Sequence, residues 1–85
     1  MKGFVYIIRS LKDNNFYIGS SPDPKRRLTE HNNGLVKSTK SRVPFIIEHI
    51  LEYENIKIAS EMEKKFKKSH GILDRELMRR GVVHR

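Results

Sequence analysis

The sequence predicts a small α/β (α+β) sandwich, a three-stranded and mainly antiparallel sheet flanked by two to three helices. Three observations carry this. Two aromatic and β-branched runs, residues 3–9 and 16–20, are joined by the turn-rich segment Lys12-Asp13-Asn14-Asn15, the pattern of an antiparallel hairpin. A third apolar run covers residues 45–53. After it, Ile58, Met62 and Phe66 recur every four residues, the period of a helix with one buried face. The 85 residues are expected to form a single domain, residues 1–85, around one modest core.

Each element has local reasons. Gly3-Phe4-Val5-Tyr6-Ile7-Ile8-Arg9 reads as a buried strand, and Phe16-Tyr17-Ile18-Gly19-Ser20 returns beside it. Asp23 is a good N-cap and Pro24 suits a first helical position, so residues 24–33 read as a helix, with Gly34 as its C-terminal cap. Arg27 and His31 stand four apart and share a face of that helix. Residues 34–44 form a polar basic loop carrying Lys37, Lys40 and Arg42. Phe45-Ile46-Ile47 is apolar enough to suggest a central strand covered on both sides, becoming more polar towards Tyr53. Glu54-Asn55 breaks the chain before a helix over residues 56–68, where Glu63 flanks the apolar stripe at the rim of the core. Ser69-His70-Gly71 is expected to end that helix. A short third helix follows over 73–80, with Leu73 and Leu77 inward and Asp74, Arg75 and Glu76 outward, then a tail over 82–85. No repeat, linker or second domain is visible.

Composition narrows the function classes. The formal net charge is +8, so many basic side chains lack an acidic partner and the surface favours polyanions, nucleic acid first. There is no cysteine, which excludes disulfides and thiolate metal sites and fits a reducing cytoplasm. No apolar run approaches the length of a membrane span, and Met1-Lys2 leads into a strand rather than a secretory leader. No membrane partner is expected. His31, His49 and Glu63 show no zinc-site spacing.

Val5-Tyr6-Ile7, then Tyr17-Ile18-Gly19, then Arg27 and His31, then Ala59, Glu63 and Lys67, form an ordered set. In that order they resemble the GIY-YIG nuclease family, and in particular its small single-domain bacterial members. The likeness spans nearly the whole chain. It departs at Phe4-Val5-Tyr6, where the family's first motif has Gly-Ile-Tyr. It departs again at Ser20, where some relatives carry lysine, and beyond Lys68, where no match to a late asparagine is found.

The resemblance implies metal-dependent hydrolysis of phosphodiester bonds, with DNA the expected substrate. It places Arg27 on the scissile phosphate, where a guanidinium fork matches phosphate oxygens. It places Glu63 on one Mg2+ or Mn2+ ion; magnesium commonly takes only one or two protein carboxylates and fills its octahedron with water and substrate. Tyr6, Tyr17 and His31 fall on the positions surrounding the attacking water, one of them acting as base or relay. Lys37, Lys40, Arg42 and Lys67 are the expected nucleic-acid contacts. The five catalytic candidates are expected to line one concave face. The competing expectation is a binding module that keeps the fold and the basic surface without cleaving.

Overall fold

The computed structural model describes residues 1–81, so the expected tail with His84 lies outside the described residues. Three antiparallel strands, β1 (Gly3–Ser10), β2 (Phe16–Ser21) and β3 (Phe45–Tyr53), form one sheet in the order β2-β1-β3. Helix α1 (Pro24–Asn32) follows the hairpin, and α2 (Ile56–Lys68) and α3 (His70–Arg79) follow β3.

The hairpin closes where the turn residues stand. The Ser10 amide bonds the Asn15 carbonyl at 2.9 Å, and Asn14 takes a left-handed φ of 61°, which asparagine tolerates. The Ser10 hydroxyl accepts from the amides of Lys12 and Asp13 and donates to the Arg42 carbonyl at 2.6 Å, tying the turn to the basic loop. Asp23 caps α1 by accepting from the Arg26 amide at 3.2 Å, with Pro24 in the first turn. At the other end Gly34, at φ 72°, donates to the His31 carbonyl while Leu35 donates to Glu30, the paired bonds of a glycine-terminated helix.

Alternation along β1 divides the core. Val5 and Ile7 join Ile18, Leu51, Ala59, Phe66, Leu73 and Leu77 under α2 and α3. Tyr6 and Ile8 join Phe45, with Tyr17, Leu28 and Ile47 packed against them, on the face that α1 and the basic loop cover. The expected sandwich is therefore present.

Four expectations need correction. The middle strand is β1, not β3; the buried stretch from Val5 to Ile8 needs cover on both faces, whereas Ile46 and Ile50 of β3 stay exposed. The buried positions of α2 are Ala59 and Phe66, with Ile58 on the solvent side, because small Ala59 lets the helix approach the sheet. Helix α3 begins at His70, since Ser69 ends α2 and its hydroxyl at once caps α3 by accepting from the Ile72 amide. Glu76 is drawn in rather than outward, paired with Arg79 at 2.6 Å and Arg80 at 2.8 Å.

Candidate active site

The hairpin register sets Tyr6 opposite Gly19 and Ile8 opposite Tyr17. The Tyr6 ring lies across Gly19 so closely that a β-carbon there would stand 2.4 Å from the Tyr6 Cζ and hydroxyl oxygen. The glycine after Tyr17-Ile18 thus makes room for the first tyrosine. Tyr6 and His31 are fully buried, and the Tyr6 hydroxyl lies 3.0 Å from His31 Nε2. The Tyr17 ring, half-buried, meets the His31 ring at 5.1 Å and the Tyr6 ring at 6.4 Å. The Phe45 ring also packs against the imidazole, with centroids 5.9 Å apart.

The His31 ring is engaged at its second nitrogen as well. Its Nδ1 lies 2.7 Å from the hydroxyl of Thr39, itself fully buried in the basic loop. Burial first, and the nearby Arg27 charge second, hold the His31 imidazole below its ordinary value, with Glu30 opposing. Burial likewise pushes the Tyr6 hydroxyl up to about 12, against the lowering effect of the nearby Arg27 guanidinium. The charges of Tyr17 and Glu63 also bear on that hydroxyl. Tyr6 therefore stays protonated at neutral pH unless its proton has somewhere to go.

Arg27 is steadied by Glu30 at 2.9 Å. With Ser20, Ser21, Arg26 and Ser60 it lines a cleft of about 390 Å³ between the first turns of α1 and α2. Glu63 comes from the helix on the opposite face of the sheet and reaches this region around the edge strand β2. Its two carboxylate oxygens accept from the Ser20 hydroxyl at 2.6 Å and pair with Lys67 at 2.6 Å. The Lys67 ammonium in turn stands 5.5 Å from the centre of the Tyr17 ring. The five candidates are thus linked, but along the β2 edge between α1 and α2 rather than over one sheet face.

Among the described residues no group of three or more His, Cys, Asp or Glu side chains is placed to hold a metal ion. Glu63 with the Ser20 hydroxyl fits the sparse protein ligation that magnesium accepts. Of the expected nucleic-acid contacts, Lys37 and Lys40 are exposed. Arg42 is held by Asp13 at 2.7 Å, and this guanidinium keeps the Asp13 carboxyl down at about 2. Sequence reasoning missed Thr39 and the Ser20–Glu63 bond; neither has a local signal, because each depends on a partner far along the chain.

The profile of the GIY-YIG catalytic domain matches residues 2–74. The chain belongs to the GIY-YIG family. A UPF0213 protein of Enterococcus faecalis is 37% identical over 70 residues, covering 79% of this chain and 80% of that protein. The solution NMR structure of the UPF0213 protein BH0048 from Bacillus halodurans is 28% identical, with a TM-score of 0.51, and covers 92% of this chain and 83% of that one. The structure-specific endonuclease subunit SLX1 of Kluyveromyces lactis is 61% identical over 31 residues, 35% of this chain but only 11% of SLX1. No described helix is long and apolar enough to cross a membrane.

Proposed function

We propose that this protein is a divalent-metal-dependent endonuclease acting on DNA in the cytoplasm. The observation that carries the reading is the continuous run of side chains from Glu63 through Lys67, Tyr17, His31 and Tyr6 to Arg27, with Arg27 opening into the cleft. Phosphodiester hydrolysis needs a proton acceptor for the attacking water and positive charge for the phosphorane. The Tyr6, Tyr17 and His31 group supplies the first. Arg27 supplies the second, gripping phosphate oxygens at the cleft wall. Glu63, with Ser20 beside it, would hold Mg2+ or Mn2+, which when bound supplies Lewis-acid stabilisation of phosphate charge. Lys37 and Lys40 add sequence-independent attraction to the backbone. No sequence-reading module is visible, and the likeness to a structure-specific endonuclease subunit favours a substrate chosen by its structure, such as a branched or flapped duplex, over one chosen by sequence.

One observation favours a second reading, a non-catalytic nucleic-acid-binding module: both oxygens of Glu63 are already engaged, by Ser20 and Lys67. The test is incubation with labelled flapped, branched and plain duplex DNA and with matching RNA, in Mg2+, Mn2+ or chelator. Metal-dependent cleavage of the branched or flapped DNA is expected. Salt-sensitive binding without cleavage of any substrate in either metal would establish the second reading.

A further inference from the structure

The direction of the hydrogen bonds around His31 follows from counting protons. The Tyr6 hydroxyl is buried, and the nearby Arg27 guanidinium has no acceptor to offer its proton. The Tyr6 proton must therefore point at an acceptor, and His31 Nε2, 3.0 Å away, is the one within reach in this buried site. Nε2 then carries a lone pair, so the neutral imidazole bears its proton on Nδ1. That proton points at the Thr39 hydroxyl at 2.7 Å, whose own proton has the Val36 carbonyl at 3.4 Å. Each donor in the row has an acceptor. Reversing the row would leave the buried Tyr6 proton with no acceptor in it.

Resting on the nuclease reading, we propose that Thr39 is a positioning residue: it holds His31 in the Nδ1–H tautomer and thereby makes the Tyr6–His31 pair the proton acceptor for the attacking water. With the Tyr6 proton committed to Nε2, the Tyr6 oxygen keeps a lone pair free to accept a proton. As the water oxygen bonds to phosphorus, its proton passes to the Tyr6 oxygen and the Tyr6 proton passes to Nε2. The bond from phosphorus to the leaving-strand oxygen breaks with its electron pair on that oxygen, which takes a proton from solvent water, and the imidazolium later returns its extra proton to solvent. The imidazolium so formed has both N–H groups bonded, Nε2–H to Tyr6 and Nδ1–H to Thr39. A buried side chain eight residues beyond His31, in a loop otherwise read as basic binding surface, so acquires a role in the chemistry.

The groups facing the imidazole are Tyr6 from β1, Tyr17 from β2 and Arg27 and Glu30 from α1; Lys67 of α2 stands beyond Tyr17. The experiment is long-range proton–nitrogen NMR of the full chain, read above the His31 titration, beside single-turnover cleavage. It compares wild type, Thr39→Ser, which keeps the hydroxyl, and Thr39→Val, which keeps the shape. The Nδ1–H form is expected in wild type and Thr39→Ser. In Thr39→Val the Nε2–H form should grow and the single-turnover rate should fall roughly 10–100-fold, the usual effect of losing such a partner, with substrate binding unchanged. Wild type already in the Nε2–H form would overturn the proposal, as would a Thr39→Val protein with unaltered tautomer and rate. If Thr39→Val does not fold, the wild-type tautomer and the Thr39→Ser rate still decide it. Wild type in the Nδ1–H form without cleavage would overturn the nuclease reading and with it the part of Thr39 in proton transfer, leaving only its hold on the His31 tautomer.

Discussion

Replacing Gly19 by alanine sets two effects of known size against each other. Among the described residues only Gly34 and Gly81 are glycines with positive φ, so Gly19 has a backbone that alanine can adopt. On conformational grounds alone the change should stabilise a strand by about 0.5–1 kcal/mol. Against that, the new β-carbon would lie 2.4 Å from the Tyr6 Cζ and hydroxyl oxygen, and ordinary contact begins at 3.4 Å. The ring is 1% exposed and fills its site, so it must retreat by about 1 Å in packed surroundings. Overpacking of this kind costs about 1–3 kcal/mol. The clash wins, with net destabilisation of about 1–2 kcal/mol, or roughly 4–16 °C in melting temperature for a domain this small. Moving Tyr6 also takes its hydroxyl out of reach of His31 Nε2, now 3.0 Å away, and cleavage should fall by about 100-fold or more. Thermal melts followed by circular dichroism, with single-turnover cleavage alongside, measure both. In a Tyr6→Ala background the same Gly19→Ala change should become neutral or stabilising, which isolates the contact. A Gly19→Ala protein as stable as wild type, or the same loss with Tyr6 absent, would refute the reasoning.

Further outcomes follow from other contacts. Asn32 donates to the Phe45 carbonyl at 3.0 Å and accepts from the Phe45 amide at 2.7 Å, tying α1 to the start of β3. Asn32→Ala should cost about 1–3 kcal/mol in urea unfolding with little change in slope, and an unchanged midpoint would speak against this tie. The folded His31 titrates below its unfolded value of 6.5, so the unfolded chain binds more protons in the window just below 6.5. The His31 contribution to stability is complete above pH 6.5 and is lost as pH falls through the folded value. The urea midpoint should drop between pH 7.5 and 5.5 more steeply for wild type than for His31→Gln, and parallel curves would contradict the burial argument. With a net charge of +8, affinity for duplex DNA should fall steeply with salt, roughly 100-fold between 50 and 200 mM for about four phosphate contacts. Salt-independent affinity would point away from phosphate binding.

What was legible in the sequence were the features that act over a few residues. The Asn-rich turn, the Asp23-Pro24 helix start and the Gly34 stop all depend on near neighbours, and they place the hairpin and α1 closely. The ordered motif of Tyr6, Tyr17, Arg27, His31 and Glu63 could be read because its spacings reflect the fold. What could not be read depends on sheet order. The apolar Phe45-Ile46-Ile47 does not say which strand lies between the other two. Hence the edge position of β3 was missed, and with it the route of Glu63 around β2. A buried threonine in a loop of Ser, Lys and Arg has no sequence mark, since its partner His31 is brought to it by the Gly34 turn. The capacity of Ser69 to end one helix and cap the next hid the true start of α3.

The most direct measurement of the central claim is cleavage and binding of one labelled branched or flapped duplex by wild type, Glu63→Gln and Arg27→Ala, in Mg2+ and in Mn2+. Glu63→Gln removes one negative charge at nearly constant size, keeps an oxygen for Ser20 and frees Lys67 from its 2.6 Å pair. Its cleavage should fall by about 100-fold or more while its affinity for DNA holds or rises. Arg27→Ala should lose both cleavage and affinity, because the phosphate grip goes with the guanidinium. Wild-type cleavage undiminished in Glu63→Gln would contradict the metal assignment, and a wild-type protein that binds the duplex without cutting it in either metal would contradict the nuclease claim itself.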